Sequence, residues 1–369
     1  MDTAFNPSRL VLARKRRGFS KTALASASNI SVRSLGYYES GEVEPSEEHI
    51  TLLAAKLELP SSFFFGPDIE EVVLNAASFR ALSSMTAAQR DSALAAGSFA
   101  VSLLSKWIES RFELPPPSVP SLRGFDPETA ARALREQWGL GERPIKNVVH
   151  LLEAHGVRIY SLPVDSASVD AFSVWHRGLP FIFLNPKKSA ERGRMDSCHE
   201  LGHLTLHAHG VPRSREAEGE ADAFGSAFLM PRGDVLGHVP RGRMISVATV
   251  HQLKKRWGVA AIALVHRLKQ LGIITEWQYR SFCIELSKTG YRRREDEIPR
   301  DTSQVFAKVF SMLRTEGVTR SAIARDLSLT SAEVDALLVG LVIASVPSQT
   351  DESPKQVSPA RSKPNLRAV

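Results

Sequence analysis

Between Pro7 and Gly66, apolar positions recur at helical spacing in short stretches separated by Gly18, Asn29 and the Gly41 to Pro45 turn. Each stretch has turn or cap chemistry at its ends, which predicts a compact unit of short amphipathic helices. From about Ala76 to Phe112 the chain is rich in Ala and Ser, with Phe99, Leu103, Leu104, Trp107 and Ile108 on one helical face. The run Leu114-Pro115-Pro116-Pro117-Ser118-Val119-Pro120 cannot continue that helix and marks a domain boundary. Helical periodicity returns over Asp126 to Trp138 and Ile145 to Ala154. The period then shortens to short β-type runs at Val157 to Tyr160 and Leu179 to Leu184, which predict a small sheet. Helices follow at Arg194 to His207, Glu216 to Met230, and several times between Val247 and Leu286. Past Asp301 a further helical segment carries Thr319 to Leu338, and no repeat of fixed period is present.

These patterns predict a mainly α chain with an α+β middle domain. The expected limits are a helical unit over 1–69, a helical linker over 70–120, and the α+β domain over 121–240. A helical extension over 241–300, a helical C-terminal segment over 301–345 and a tail over 346–369 follow. The tail is rich in Ser, Pro, Lys and Gln and reads as disordered. With 369 residues, 43% apolar and 24% charged, the composition is that of ordinary globular domains and excludes fibrous or wholly disordered structure. Cys198 and Cys283 are too few for a disulfide framework. No apolar run is long enough to cross a bilayer and the N-terminus lacks a signal-type apolar segment, so a cytoplasmic protein without membrane contact is expected. The net charge of +7 permits a nucleic-acid partner without demonstrating one.

His199-Glu200-Leu201-Gly202-His203 fits the HExxH pattern, for which chance supplies at most roughly 0.04 matches in a chain of this composition. Residues i and i+4 share a helix face, so the imidazoles of His199 and His203 can converge on one zinc ion. Glu200 projects about 100° around the axis. It is not a ligand there, but it can take a proton from a water at the open zinc position and later pass one to a leaving amine. Catalytic zinc asks for a third protein ligand, and the acidic helical stretch downstream offers Glu216, Glu218 and Glu220. Spacing alone does not choose among them, and acidic residues at a helix start are also favoured by the macrodipole. His207 lies two turns from His199, about 12 Å of rise, so it reads as structural or as support for a ligand. Cys198 reads as a buried, inert thiol.

Within the N-terminal unit, Leu24-Ala25, Ile30-Ser31 and a helix from Val32 to Ser40 have helix-turn-helix spacing. In that arrangement Val32, Arg33, Ser34 and Tyr37 face double-stranded DNA while Leu35 and Tyr38 pack inward. Arg33 is suited to a guanine edge. Arg14, Lys15, Arg16 and Arg17, with Arg9, are expected to offer phosphate contacts. Thr319 to Val334 also reads as two short helices around a turn, but its mixed charge favours ordinary hairpin packing over DNA contact.

The stretch Cys198 to His207, with Glu218-Gly219-Glu220-Ala221-Asp222-Ala223-Phe224 and Phe228-Leu229-Met230-Pro231, resembles the zinc-peptidase domain of the ImmA/IrrE family. Pro7 to Gly66 resembles the XRE-type helix-turn-helix, expected as a five-helix domain. Ser78-Phe79-Arg80, Val169 to Ser173, Pro180 to Ile182 and Leu268 to Ile274 fit the same architecture, so the likeness spans about 7–294. The resemblance implies zinc, one per chain, held by His199, His203 and Glu218, with Glu200 as general base. It implies a DNA-binding transcription regulator whose metallo-endopeptidase domain cleaves a repressor-like protein. The alternative is a non-catalytic or antitoxin-like regulator that uses the same fold to sense a ligand or a toxin partner. A homodimer on paired half-sites is expected of this DNA-binding fold. The chain departs from the family pattern at Cys198, where alanine is usual, and at Asp222, where asparagine is common. At Lys21, where a phosphate-contacting glutamine is frequent, it supplies a basic DNA-contact candidate.

Overall fold

The computed structural model describes residues 4–72, 86–163, 171–207, 214–240, 245–288 and 298–342, together with Pro364 and Leu366. The Ser78 to Arg80 piece and Val169 and Asp170 lie outside the described residues.

The N-terminal unit is built from α1 (Pro7–Arg16), α2 (Lys21–Ser28), α3 (Val32–Ser40) and α4 (Glu47–Leu57), closed by a 3-10 turn at Ser61–Phe65 in place of a fifth α-helix. Local chemistry sets these limits. Ser20, Ser31 and Ser46 each accept the amide N–H three residues on, capping α2, α3 and α4, and α2 and α3 end in left-handed residues, Asn29 and Gly41. Leu24, Ala25, Ile30 and Leu35 are buried between α2 and α3, which fixes the angle of the pair.

A long helix follows, α5 (Ala87–Phe99), which passes through a π-helical turn at Ala100–Ser105 into α6 (Lys106–Arg111). The proline run does end it. Instead of spanning open solvent as a free linker, that run lies on the middle domain: Arg158 donates to the Pro115 carbonyl at 3.0 Å and the Ser118 amide donates to the His155 carbonyl at 3.0 Å.

The middle domain contains α7 (Pro127–Gln137), α8 (Val148–Ala154), β1 (Arg158–Ser161), β2 (Ala171–His176) and β3 (Leu179–Leu184). The sheet order is β1-β3-β2, with β1 parallel and β2 antiparallel to β3. Two of the three strands were expected. The third, β2, has four consecutive buried residues and so lacks the polar alternation that marks a half-exposed strand. Against β2 and β3 packs α9 (Ala190–Leu206), and against α9 packs α10 (Arg215–Leu229). Two glycines allow that second contact. A Cβ at Gly202 would meet Phe224 at 3.0 Å and the Ala221 Cα at 3.2 Å, and one at Gly225 would meet the His199 nitrogen at 2.9 Å. Only hydrogen side chains let the two helices come this close.

The remainder is helical: α11 (Arg232–His238), α12 (Val247–Trp257), α13 (Ala261–Gln270), α14 (Glu276–Lys288), α15 (Gln304–Thr315), α16 (Arg320–Asp326) and α17 (Ser331–Ala336). The α16–α17 pair docks on both other regions. Glu333 of α17, only 3% exposed, lies 3.0 Å from Arg16 and 2.8 Å from Arg17, and the Ser161 amide donates to the Leu337 carbonyl at 2.8 Å. Most of the tail lies outside the described residues. Of its described residues, Leu366 is buried and Pro364 and Leu366 exchange backbone hydrogen bonds with Glu113. Among the described residues no helix is long and apolar enough to cross a membrane.

Candidate metal centre and nucleic-acid interface

On α9, His199 and His203 stand one turn apart, and α10 brings Glu218 to the same point. The Nε2 atoms of the two imidazoles are 3.0 Å apart, and each lies 3.5 Å from a different oxygen of the Glu218 carboxylate. Zinc bonds of roughly 2.0 to 2.1 Å in tetrahedral geometry would separate their ligand atoms by about 3.3 Å, so this triangle has the size of one zinc face. The donor set passes a second test. Glu218 Oε1 is buried with no hydrogen-bond partner in the structure, an arrangement costly for a carboxylate unless a cation completes it. Among the described residues, His199, His203 and Glu218 are the group able to hold a metal ion. Neither Glu216 nor Glu220, the two carboxylates left open by spacing, belongs to it.

The three groups are electrostatically coupled to one another. Burial works against ionisation of Glu218, yet the adjacent His199 and His203 hold its carboxyl well below the usual carboxylate range. Burial likewise disfavours the cation of His199, but Asp222, Glu218 and the charge of Glu200 outweigh it and push the imidazole up to about 10. Cys198 is fully buried and burial pushes its thiol up to about 12, which disfavours the thiolate.

Around the triangle sit residues that pattern reading had left without an assigned partner. Asp222 Oδ1 lies 2.8 Å from His199 Nδ1, and His207 Nδ1 lies 2.9 Å from His203 Nδ1. Glu200 is buried, and its Oε2 accepts a 2.6 Å hydrogen bond from the hydroxyl of Ser173 on β2. Ser173 ends a stretch that fits the family architecture, but only the packing of β2 against α9 brings its hydroxyl to Glu200.

In the helix-turn-helix, Val32 and Arg33 at the start of α3 are exposed, Ser34 and Tyr37 are half-buried beside them, and Leu35 and Tyr38 point into the core. Arg33 donates to the Tyr37 hydroxyl at 2.8 Å and leans over its ring. Lys21, with half its side chain exposed, lies 3.1 Å from Glu39. The basic run divides. Arg14 holds Glu39 and the Phe19 carbonyl, Arg16 is buried against Glu333, and Arg17 holds the Leu57 carbonyl and Glu333. Arg9 is buried too, donating to the Phe63 and Pro67 carbonyls. Of this set Arg9 and Arg16 are buried, whereas Lys15, 2.8 Å from the exposed Glu71, and Lys21 keep the most exposed side chains. The reason is geometric: consecutive residues step 100° around a helix, so a run of four cannot face one partner.

Comparison with known families places these two sites in context. Residues 10–64 match the helix-turn-helix family, and residues 152–269 match the IrrE N-terminal-like domain family. The chain thus joins an XRE-type helix-turn-helix, which supports DNA binding, to an ImmA/IrrE-type, metallopeptidase-like domain. Comparison with curated proteins gives no match.

Proposed function

We propose that this protein is a DNA-binding transcription regulator whose middle domain is a zinc-dependent endopeptidase acting on a repressor-like regulatory protein. The observation that carries the enzymatic half is the convergence of His199, His203 and the partnerless Glu218 oxygen beside a buried, tethered Glu200. Zinc held by the triad supplies Lewis acidity, which makes a nucleophile available from water at neutral pH. Glu200 is then the base that removes the proton from the attacking water and later delivers one to the leaving amine nitrogen. The Ser173 hydroxyl fixes one oxygen of that carboxylate and so limits its rotation during both transfers. For the DNA half, Val32, Arg33, Ser34 and Tyr37 are the groups that reach base edges, with Lys15 and Lys21 at phosphates. A cytoplasmic location and a homodimer on paired half-sites belong to the same proposal.

Glu200→Gln tests it. The variant should keep its fold, zinc and DNA affinity while cleavage of a co-expressed target falls roughly 10²- to 10⁴-fold, and it should retain the uncut target on purification. A different result favours the sensing or antitoxin-like reading: promoter output identical in wild type and Glu200→Gln, altered by His199→Ala, with no regulator or toxin cut in either.

A further inference from the structure

We infer that His207 and Glu220 form a positioning pair that fixes the tautomer and orientation of His203 and so sets the metal affinity of the triad. The inference rests on the zinc reading above and deepens it. Its basis is an unbroken line of hydrogen-bonding atoms leading away from the metal face. His203 Nδ1 lies 2.9 Å from His207 Nδ1, and His207 Nε2 lies 2.9 Å from Glu220 Oε2. An ionised carboxylate can only accept, so a neutral His207 carries its proton on Nε2, and its Nδ1 is left as an acceptor. That acceptor takes the Nδ1 proton of a neutral His203. The free lone pair of His203 is thereby placed on Nε2, the atom facing His199 and Glu218. With both rings neutral and Glu220 ionised, this proton arrangement alone makes both of these contacts hydrogen bonds, and it is the one in which His203 presents its lone pair to zinc.

The surroundings keep the line in place. His203 is fully buried, and His207, which caps α9 just after Leu206, is tied to it by its own amide, which donates to the His203 carbonyl at 3.3 Å. The His207 ring packs on the His203 ring with centroids 5.0 Å apart and the planes tilted by 51°. Glu220 comes from α10, the helix that also delivers Glu218, so packing α10 on α9 sets the ligand and its support in one step. The two histidine ligands are therefore steadied by different means. His199 meets its carboxylate, Asp222, directly, whereas His203 reaches Glu220 through a second imidazole. Partners of this kind typically contribute 10- to 100-fold to metal affinity.

The test measures zinc affinity of the full chain by competition with a chelator, independently of any peptidase activity. Glu220→Ala should weaken zinc binding about 10- to 100-fold, while Glu220→Gln, which keeps an acceptor oxygen, should stay near wild type. Glu216→Ala, a neighbouring carboxylate outside the line, should bind as wild type does. His207→Phe should match Glu220→Ala and shift the absorption bands of the cobalt-substituted protein. Should His207→Phe fail to fold, the half-exposed Glu220 variants decide the matter alone. Equal zinc affinity in wild type and Glu220→Ala overturns the positioning pair and leaves the zinc reading standing. A wild-type chain that binds no zinc overturns both.

Discussion

The metal centre and the basic run of α1 were both legible as clusters of like chemistry, and the fold treats them in opposite ways. His199 and His203, four residues apart, arrive at one point, and α10 closes the triangle with Glu218. Arg14, Lys15, Arg16 and Arg17 are contiguous, and the fold sends Arg14 to Glu39, Lys15 to Glu71, and Arg16 and Arg17 to Glu333, with Arg17 also reaching the end of α4. What separates the two cases is spacing rather than composition. Periods of three and four residues focus side chains on one partner, whereas adjacency fans them around the axis.

The comparison can be broken at several points. The largest effect is expected at the focus itself: Glu218→Ala should lose zinc, by metal analysis, far beyond the 10- to 100-fold cost of an outer support, whereas Glu216→Ala should retain it. Equal zinc contents would mean that the triangle is not a site. Next comes the dispersed set. Glu333→Ala would leave the Arg16 guanidinium buried without its carboxylate and should destabilise the chain by about 3 to 5 kcal/mol in denaturant titration. A loss below about 1 kcal/mol would show that the pair carries no more weight than a surface contact. Arg33→Ala, which changes an exposed side chain on α3, should cost about 1 to 3 kcal/mol at a preferred DNA site and flatten sequence preference, with folding stability unchanged. The smallest change belongs to Lys15→Ala, which should weaken binding to all duplexes alike and reduce the salt dependence by about one unit of slope. If Lys15→Ala instead altered sequence preference, the division between Arg33 and Lys15 would be lost.

How far the sequence reaches follows from the same contrast. The helix pair α2–α3, the HExxH helix and its acidic partner are each local patterns, and each was readable in outline. The choice of Glu218 over Glu216 and Glu220 required a family likeness, because three carboxylates at successive even positions differ only in how α10 is rotated on α9. Ser173, the His207 to Glu220 contact and the burial of Arg16 depend on residues 13 to 317 positions apart meeting in space, and no local period encodes such meetings. The α16–α17 pair shows the limit from the other side. It shares the helix-turn-helix spacing of α2–α3, yet Glu333, the third residue of its second helix, is buried against Arg16 and Arg17, where Ser34, the third residue of α3, is only half-buried. Spacing specifies a turn between helices; it does not specify which side is left open.

The ion pair between Arg16 and Glu333 also orders events during synthesis. Arg16 leaves the ribosome 317 residues before Glu333, and domains earlier in a chain generally fold while later ones are still being made. The helix-turn-helix must therefore reach its fold with Arg16 and Arg17 still lacking the carboxylate that will cover them. That contact becomes available only when α16 and α17 have emerged, so a nascent or truncated chain ending before residue 333 carries a helix-turn-helix with a different charge on its flank from that of the chain in which Glu333 has docked.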